Sequence, residues 1–269
     1  MPARISSDSV APAPLTERSP LLNQLATAVA AHQDAIRWVP QIRSATPLLR
    51  VLDDGHQAEG ETYRLRSQST QIGRRQGEVQ IPQDDEISSL HATIERICDT
   101  TSSGTRFRLR DLASTNGTFV RQKVVQLEQS SEFIMGNHRY RWNEQNTGGR
   151  SVAKLERVKD GKLTVPLLPG TDYQIGRRFL SQENSPSPRH PQFVVTAYAE
   201  RRCIELDDDP YLDRNHATIR YRSPPGHRPC WEVVDDDSTN GIWTRTSEFW
   251  LDEPTEFLCG EQRFLFLYP

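Results

Sequence analysis

The chain has 269 residues with 33 basic and 36 acidic side chains, a net charge of −3, so two ordinary domains fit and no general attraction to nucleic acid or anionic lipid follows. No run approaches the roughly 18 consecutive apolar residues of a membrane span, and the first residues lack a basic-then-apolar leader. Cys98, Cys203, Cys230 and Cys259 form no C-x-x-C pair, so the expectation is a soluble cytoplasmic chain with reduced thiols, no metal, no disulfide framework and no membrane contact.

Residues 1–18, rich in Ala, Pro and Ser, are expected to form a disordered leader. Thr16 lies there, in a segment that a kinase could reach. Ser19-Pro20 reads as an N-cap followed by proline at the first helical position, and Leu22, Leu25, Val29, Ile36 and Val39 share one face before Pro40. A short N-terminal helical segment is expected over 19–45. It either docks on the chain's own sandwich or serves as a partner-binding or self-associating helix.

From residue 46 onward the chain repeats itself. Ile72-Gly73-Arg74-Arg75 recurs as Ile175-Gly176-Arg177-Arg178, His91-Ala92-Thr93-Ile94 as His216-Ala217-Thr218-Ile219, and Ser114-Thr115-Asn116-Gly117 as Ser238-Thr239-Asn240-Gly241. The last two blocks recur at offsets of 125 and 124, whereas the first recurs at 103, so the second copy carries about 22 extra residues near 179–200. Ser181 to Pro188 of that insertion has loop chemistry, and Phe193 to Tyr198 predicts an extra strand.

Alternation in Arg106-Phe107-Arg108-Leu109-Arg110, and the aromatic and β-branched content of Trp231 to Val234 and Phe264 to Leu267, predict strands in both copies. The expected fold class is all-β: two tandem sandwiches over 46–143 and 150–269, divided by the polar, glycine-bearing stretch 143–150.

Glycine-arginine after a strand, then Ser-x-x-His, then Thr-Asn-Gly, resembles the forkhead-associated (FHA) family, and the resemblance extends over both copies. It implies a β-sandwich whose loops at one end hold a phosphothreonine peptide without catalysis. In the first copy the resemblance implies that Arg74 grips phosphate, Ser88 and Thr115 bond it, and Asn116 fixes the peptide backbone. Ser89 stands where the family often has a basic or polar residue, while Gly73, His91 and Gly117 shape the loops. The residue types suit the task independently: a group carrying about −1.5 to −2 charges and three strong acceptors calls for a guanidinium and short hydroxyl donors on rigidly held loops.

The second copy keeps Arg177, Thr239 and Asn240, with Arg214 beside them, but Asp213 stands where the first has Ser88. A carboxylate cannot donate to phosphate and repels it, and it could pair with Arg177, so this copy is expected to be a phosphate-independent interaction domain. Asp207 to Asp209 and Asp235 to Asp237 match no EF-hand spacing and read as turn carboxylates. No Gly-rich phosphate loop, H-E-x-x-H or G-x-S-x-G occurs, so neither an enzyme nor a cofactor is expected. The expected partners are phosphothreonine proteins downstream of a Ser/Thr kinase; the alternative is a phosphate-independent assembly scaffold.

Overall fold

The computed structural model describes residues 46–52, 60–98, 105–147, 150–159, 161, 164–177, 193–198, 201–206, 209–226 and 228–268. The leader 1–18, the helical segment 19–45 and residues 179–192 of the insertion lie outside them.

The first repeat supplies β1 (Leu48–Leu52), β2 (Thr62–Arg64), β3 (Ser69–Gly73), β4 (Val79–Gln80), β5 (Ala92–Cys98), β6 (Thr105–Asp111), β7 (Thr118–Gln122), β8 (Val124–Leu127), β9 (Glu132–Met135) and β10 (His138–Thr147). The second supplies β11 (Arg150–Arg157), β12 (Thr164–Leu167), β13 (Asp172–Arg177), β14 (Phe193–Tyr198), β15 (Arg201–Leu206), β16 (Ala217–Arg222), β17 (Cys230–Asp235), β18 (Ile242–Thr246), β19 (Glu248–Trp250), β20 (Thr255–Cys259) and β21 (Gln262–Leu267). The all-β expectation therefore holds over the described residues, and the insertion carries the predicted strand as β14, antiparallel to β15. Among those residues no helix is long and apolar enough to cross a membrane.

Period-two burial drives these strands: β6 buries Phe107 and Leu109, β8 buries Val125 and Leu127, and β17 buries Trp231 and Val233, with polar neighbours between. Three sheets result. One of ten strands runs β12-β11-β10-β9-β18-β7-β20-β21-β1-β2; a six-stranded sheet runs β14-β15-β13-β16-β17-β8; a five-stranded sheet runs β19-β6-β5-β3-β4. The long sheet spans both sandwiches and each shorter sheet covers part of it, so residues 45–269 form one compact unit.

The sheet order corrects the expectation of one contiguous sandwich per repeat. The core around Leu49, Ile72, Ile94 and Leu109 of the first repeat is completed by Leu251, Phe257, Cys259, Phe264 and Phe266 of the second. Conversely, Val125, Leu127, Phe133, Met135, Tyr140 and Trp142 of the first repeat lie in the core of Ile175, Ile219, Trp231 and Val233. The two repeats have exchanged their C-terminal strands.

A short connection explains the crossing. Lys123 alone separates β7 from β8, and Ser247 alone separates β18 from β19. Hairpin reversal ordinarily takes two or more loop residues, so each chain runs straight on into the neighbouring ladder. There the Lys123 carbonyl accepts the Asp235 N–H and the Ser247 carbonyl accepts the Asp111 N–H, both at 2.9 Å. The repeats meet where β7 and β18 pair antiparallel, with Val120 opposite its own counterpart Thr244.

The stretch 143–150, expected to be an irregular boundary, is also different. Asn143 to Thr147 continue β10 and pair with β11 as far as Thr147↔Arg150. Backbone pairing needs no apolar side chains of its own, and Trp142 and Leu155 in that ladder are both fully buried.

Candidate functional site

Three loops meet at one end of the first sandwich. Arg74 follows β3, Ser88 and Ser89 lie between β4 and β5, and Thr115 and Asn116 lie between β6 and β7. The structure thus gathers these five residues of the first repeat, each on a connection rather than a strand, while Gly73 ends β3.

Backbone bonds fix the loops before any ligand is considered. The Ser88 carbonyl accepts the Arg74 N–H at 2.9 Å, and the Ser89 carbonyl accepts the Gln76 N–H at 2.9 Å. Gly73 makes that approach possible, since an added Cβ would run into the Ser89 and Gln76 carbonyls. Fully buried His91 joins two of the loops: Nδ1 accepts the Ser88 N–H at 3.1 Å, which leaves the ring proton on Nε2 to bond the Gly117 carbonyl at 3.2 Å. Burial lowers the His91 pKa below its ordinary value of 6.5, with partial opposition from the Gly117 carbonyl, so the ring is neutral at pH 7. Its two ring nitrogens thereby brace the Ser88 and Gly117 loops against each other.

A second brace escaped the sequence reading. Asp111 accepts from the Ser114 N–H at 2.9 Å, the Ser114 hydroxyl at 2.6 Å and the Thr118 hydroxyl at 2.8 Å. Burial alone would raise its pKa, but those bonds together outweigh it and the carboxyl stays below its ordinary range. The Ser114 hydroxyl also accepts the Gly117 N–H at 3.0 Å, and Gly117 holds φ at +87°. Asp235, recurring at offset 124, was the signal available for this brace.

On that frame stand the polar tips. Ser88 Oγ accepts the Thr115 N–H at 3.0 Å and lies 3.5 Å from Thr115 Oγ1. Arg74 Nη1 donates to Asp85 Oδ1 at 2.8 Å, a carboxylate 93% exposed against 27% for the arginine. Arg74 Nε is buried without a hydrogen-bond partner among the described residues. Asn116 Nδ2 donates to the Glu86 carbonyl at 2.9 Å and to Glu86 Oε2 at 2.6 Å, while the Asn116 carbonyl accepts from Arg139 at 3.1 Å. Asp85, Glu86 and Arg139 were not singled out in the sequence, because nothing in their local pattern marks them.

The second repeat builds the same frame. Arg177 N–H donates to the Asp213 carbonyl at 2.9 Å, His216 Nδ1 accepts the Asp213 N–H at 3.3 Å, and His216 Nε2 bonds the Gly241 carbonyl at 3.1 Å. The tips differ. The Asp213 carboxylate accepts the Thr239 N–H at 2.6 Å and lies 3.4 Å from the Thr239 hydroxyl, Asn240 donates to the Tyr211 carbonyl, and Arg177 donates to the Pro210 carbonyl. Arg214 is exposed and, with Arg177, lines a cavity of about 250 Å³ that also touches Cys203, Glu205 and Asn215.

Residues 70–136 match the FHA domain family. This stretch is an FHA domain. It runs from Thr70 of β3 to Gly136, and so contains the loops of Arg74, Ser88 and Asn116 together with β8 and β9, which sit in the other core. No curated protein matches the chain. Among solved structures, Mycobacterium tuberculosis EmbR in complex with a low affinity phosphopeptide matches at 22% identity over 44% of this chain and 28% of that one, with a TM-score of 0.25.

Proposed function

We propose that this chain is a non-catalytic, cytoplasmic phosphothreonine-peptide adaptor acting downstream of a Ser/Thr kinase, with Arg74, Ser88, Thr115 and Asn116 of the FHA domain as its ligand-side residues. The observation that carries the reading is the state of Arg74. It follows β3 on a loop bonded through the backbone to that of Ser88, whose hydroxyl meets Thr115, and the carboxylate that its guanidinium bonds is an exposed side chain that a doubly charged phosphate can displace. Each charge-assisted bond to phosphate is worth about 1.5–3 kcal/mol, so loss of the phosphate costs tenfold or more in affinity.

The second repeat serves a phosphate-independent contact. Asp213 already closes on Thr239, filling with a carboxylate the place that Ser88 holds in the first repeat. A scaffold in which neither repeat reads phosphate is the competing interpretation, favoured by the exchange of strands that makes the two repeats one unit.

Fluorescence anisotropy with phosphorylated and unphosphorylated threonine peptide pools, on the full chain, Arg74→Ala and Arg177→Ala, separates them. Phosphate-dependent binding abolished only by Arg74→Ala is expected. Equal binding of both pools would leave the scaffold reading standing.

A further inference from the structure

The strand exchange brings a guanidinium from the second repeat onto the rim of the first site. Arg245, on β18, lies so close over Gly117 that a Cβ there would stand 2.5 Å from its Nε. Arg139, on β10, reaches across the Phe119 ring at 5.0 Å to bond the Asn116 carbonyl. Arg139, Arg141 and Arg245 all converge on Glu132, whose side chain is 7% exposed, whereas Arg141 and Arg245 are 41% and 40% exposed. Burial would raise the Glu132 pKa, but the three guanidinium groups outweigh it and hold the carboxyl ionised.

Across the β10–β11 ladder Glu156 faces Arg141, so three cations answer two carboxylates and the rim keeps a positive surplus. At the corresponding place in the second repeat, Glu256 is met by Arg121, Arg263 stands where the first has Arg139, and Leu265, which faces Arg50 across its ladder, stands where the first has Arg141. Among the described ion pairs, three guanidinium groups meet Glu132 where one meets Glu256. Asn116 links the Glu132 cluster to the acidic loop: the Asn116 side-chain amide donates to Glu86, and the Asn116 backbone carbonyl accepts from Arg139.

We propose that the ligand of the first site carries an acidic side chain close to its phosphothreonine, read by Arg139 of the first repeat and Arg245 of the second, so that both repeats build one site. This rests on the phosphothreonine reading. A peptide whose backbone is fixed at Asn116 passes directly between the two charged rims, and an Asp or Glu on the Arg139–Arg245 side meets partly exposed guanidinium groups that already carry more charge than Glu132 neutralises.

The test uses the full chain and one phosphothreonine peptide in which Glu or Gln is placed in turn at each position on either side, read by anisotropy, beside the same peptides unphosphorylated. At one or more positions Glu should strengthen binding about two- to fivefold over Gln. That Glu-to-Gln ratio should fall toward one in Arg245→Gln and invert in favour of Gln in Arg245→Glu. A ratio unchanged in both variants, or no position at which Glu helps, would overturn the composite rim while leaving phosphate dependence intact. Equal binding with and without phosphate would overturn the underlying reading as well.

Discussion

Deleting residues 248–269 from the full chain removes β19, β20 and β21, and the strand exchange dictates which half of the molecule should collapse. Leu251, Phe257, Phe264 and Phe266 are each 0% exposed, and all four lie in the core built around the first repeat. Burial of such side chains is worth about 1.5–3 kcal/mol each, so about 6–12 kcal/mol goes with them. Domains of this kind hold about 5–15 kcal/mol in total, so the first sandwich should unfold. The other core uses nothing beyond Ile242 and should survive. Amide hydrogen exchange read by mass spectrometry should show β3, β5 and β6 losing protection while β13, β16 and β17 keep it. A chain folded as two contiguous sandwiches gives the reverse pattern. Protection kept over the first repeat and lost over the second would sink the exchange.

Two further outcomes follow from the loops. Asp85→Ala removes the carboxylate that competes with phosphate for Arg74 and should tighten phosphopeptide binding about two- to fivefold, an advantage that shrinks as salt is added; weaker binding by titration would show that Asp85 contributes to the ligand contact. His91 has a folded pKa below 6.5, so between that pKa and 6.5 the native state binds fewer protons than the unfolded chain and stability falls as pH drops. Urea midpoints at pH 7.5 and 5.5 should therefore differ, and the difference should shrink in His91→Gln; an equal slope in that variant would clear His91 of the effect.

Much of this architecture was legible because the signals were local. Alternation at Phe107 and Leu109, the apolar run that became β14, and the loop position of Arg74, Ser88 and Asn116 each depend on residues within a few positions of one another. The exchange was not legible, for a chemical reason. At offset 124 Val125, Leu127, Phe133, Met135, Tyr140 and Trp142 correspond to Phe249, Leu251, Phe257, Cys259, Phe264 and Phe266, two apolar sets with the same period. Hydrophobic burial is not directional, so a pattern of apolar positions says that these strands fill a core without saying which one. The same ambiguity hid the charged rim, since Arg245 reaches Gly117 only through the exchanged geometry. Asp85 and Glu86 were missed for another reason: exposed carboxylates in a turn carry no periodic signal.

The exchange also gives the second repeat a reason to keep its loop frame whether or not it holds a ligand. Asp84, on the loop that carries Ser88, accepts the Glu261 and Gln262 N–H groups at 2.8 and 3.0 Å, so the β20–β21 turn of the second repeat pins the first site from below. Asp209 does the converse, accepting the Asn137 N–H at 2.8 Å from the β9–β10 turn of the first repeat. Two residues beyond Asn137 stands Arg139, which bonds the Asn116 carbonyl. A continuous chain of contacts therefore leads from the loop of Asp209 and Asp213, through that turn, to Asn116 in the first repeat. Loss of the Ser88-like hydroxyl at Asp213 removes a phosphate donor but leaves this support in place, because the anchoring bonds come from Asp209 and the loop backbone. The second repeat then holds the Asn116 loop through position, by bonds that need no ligand of its own.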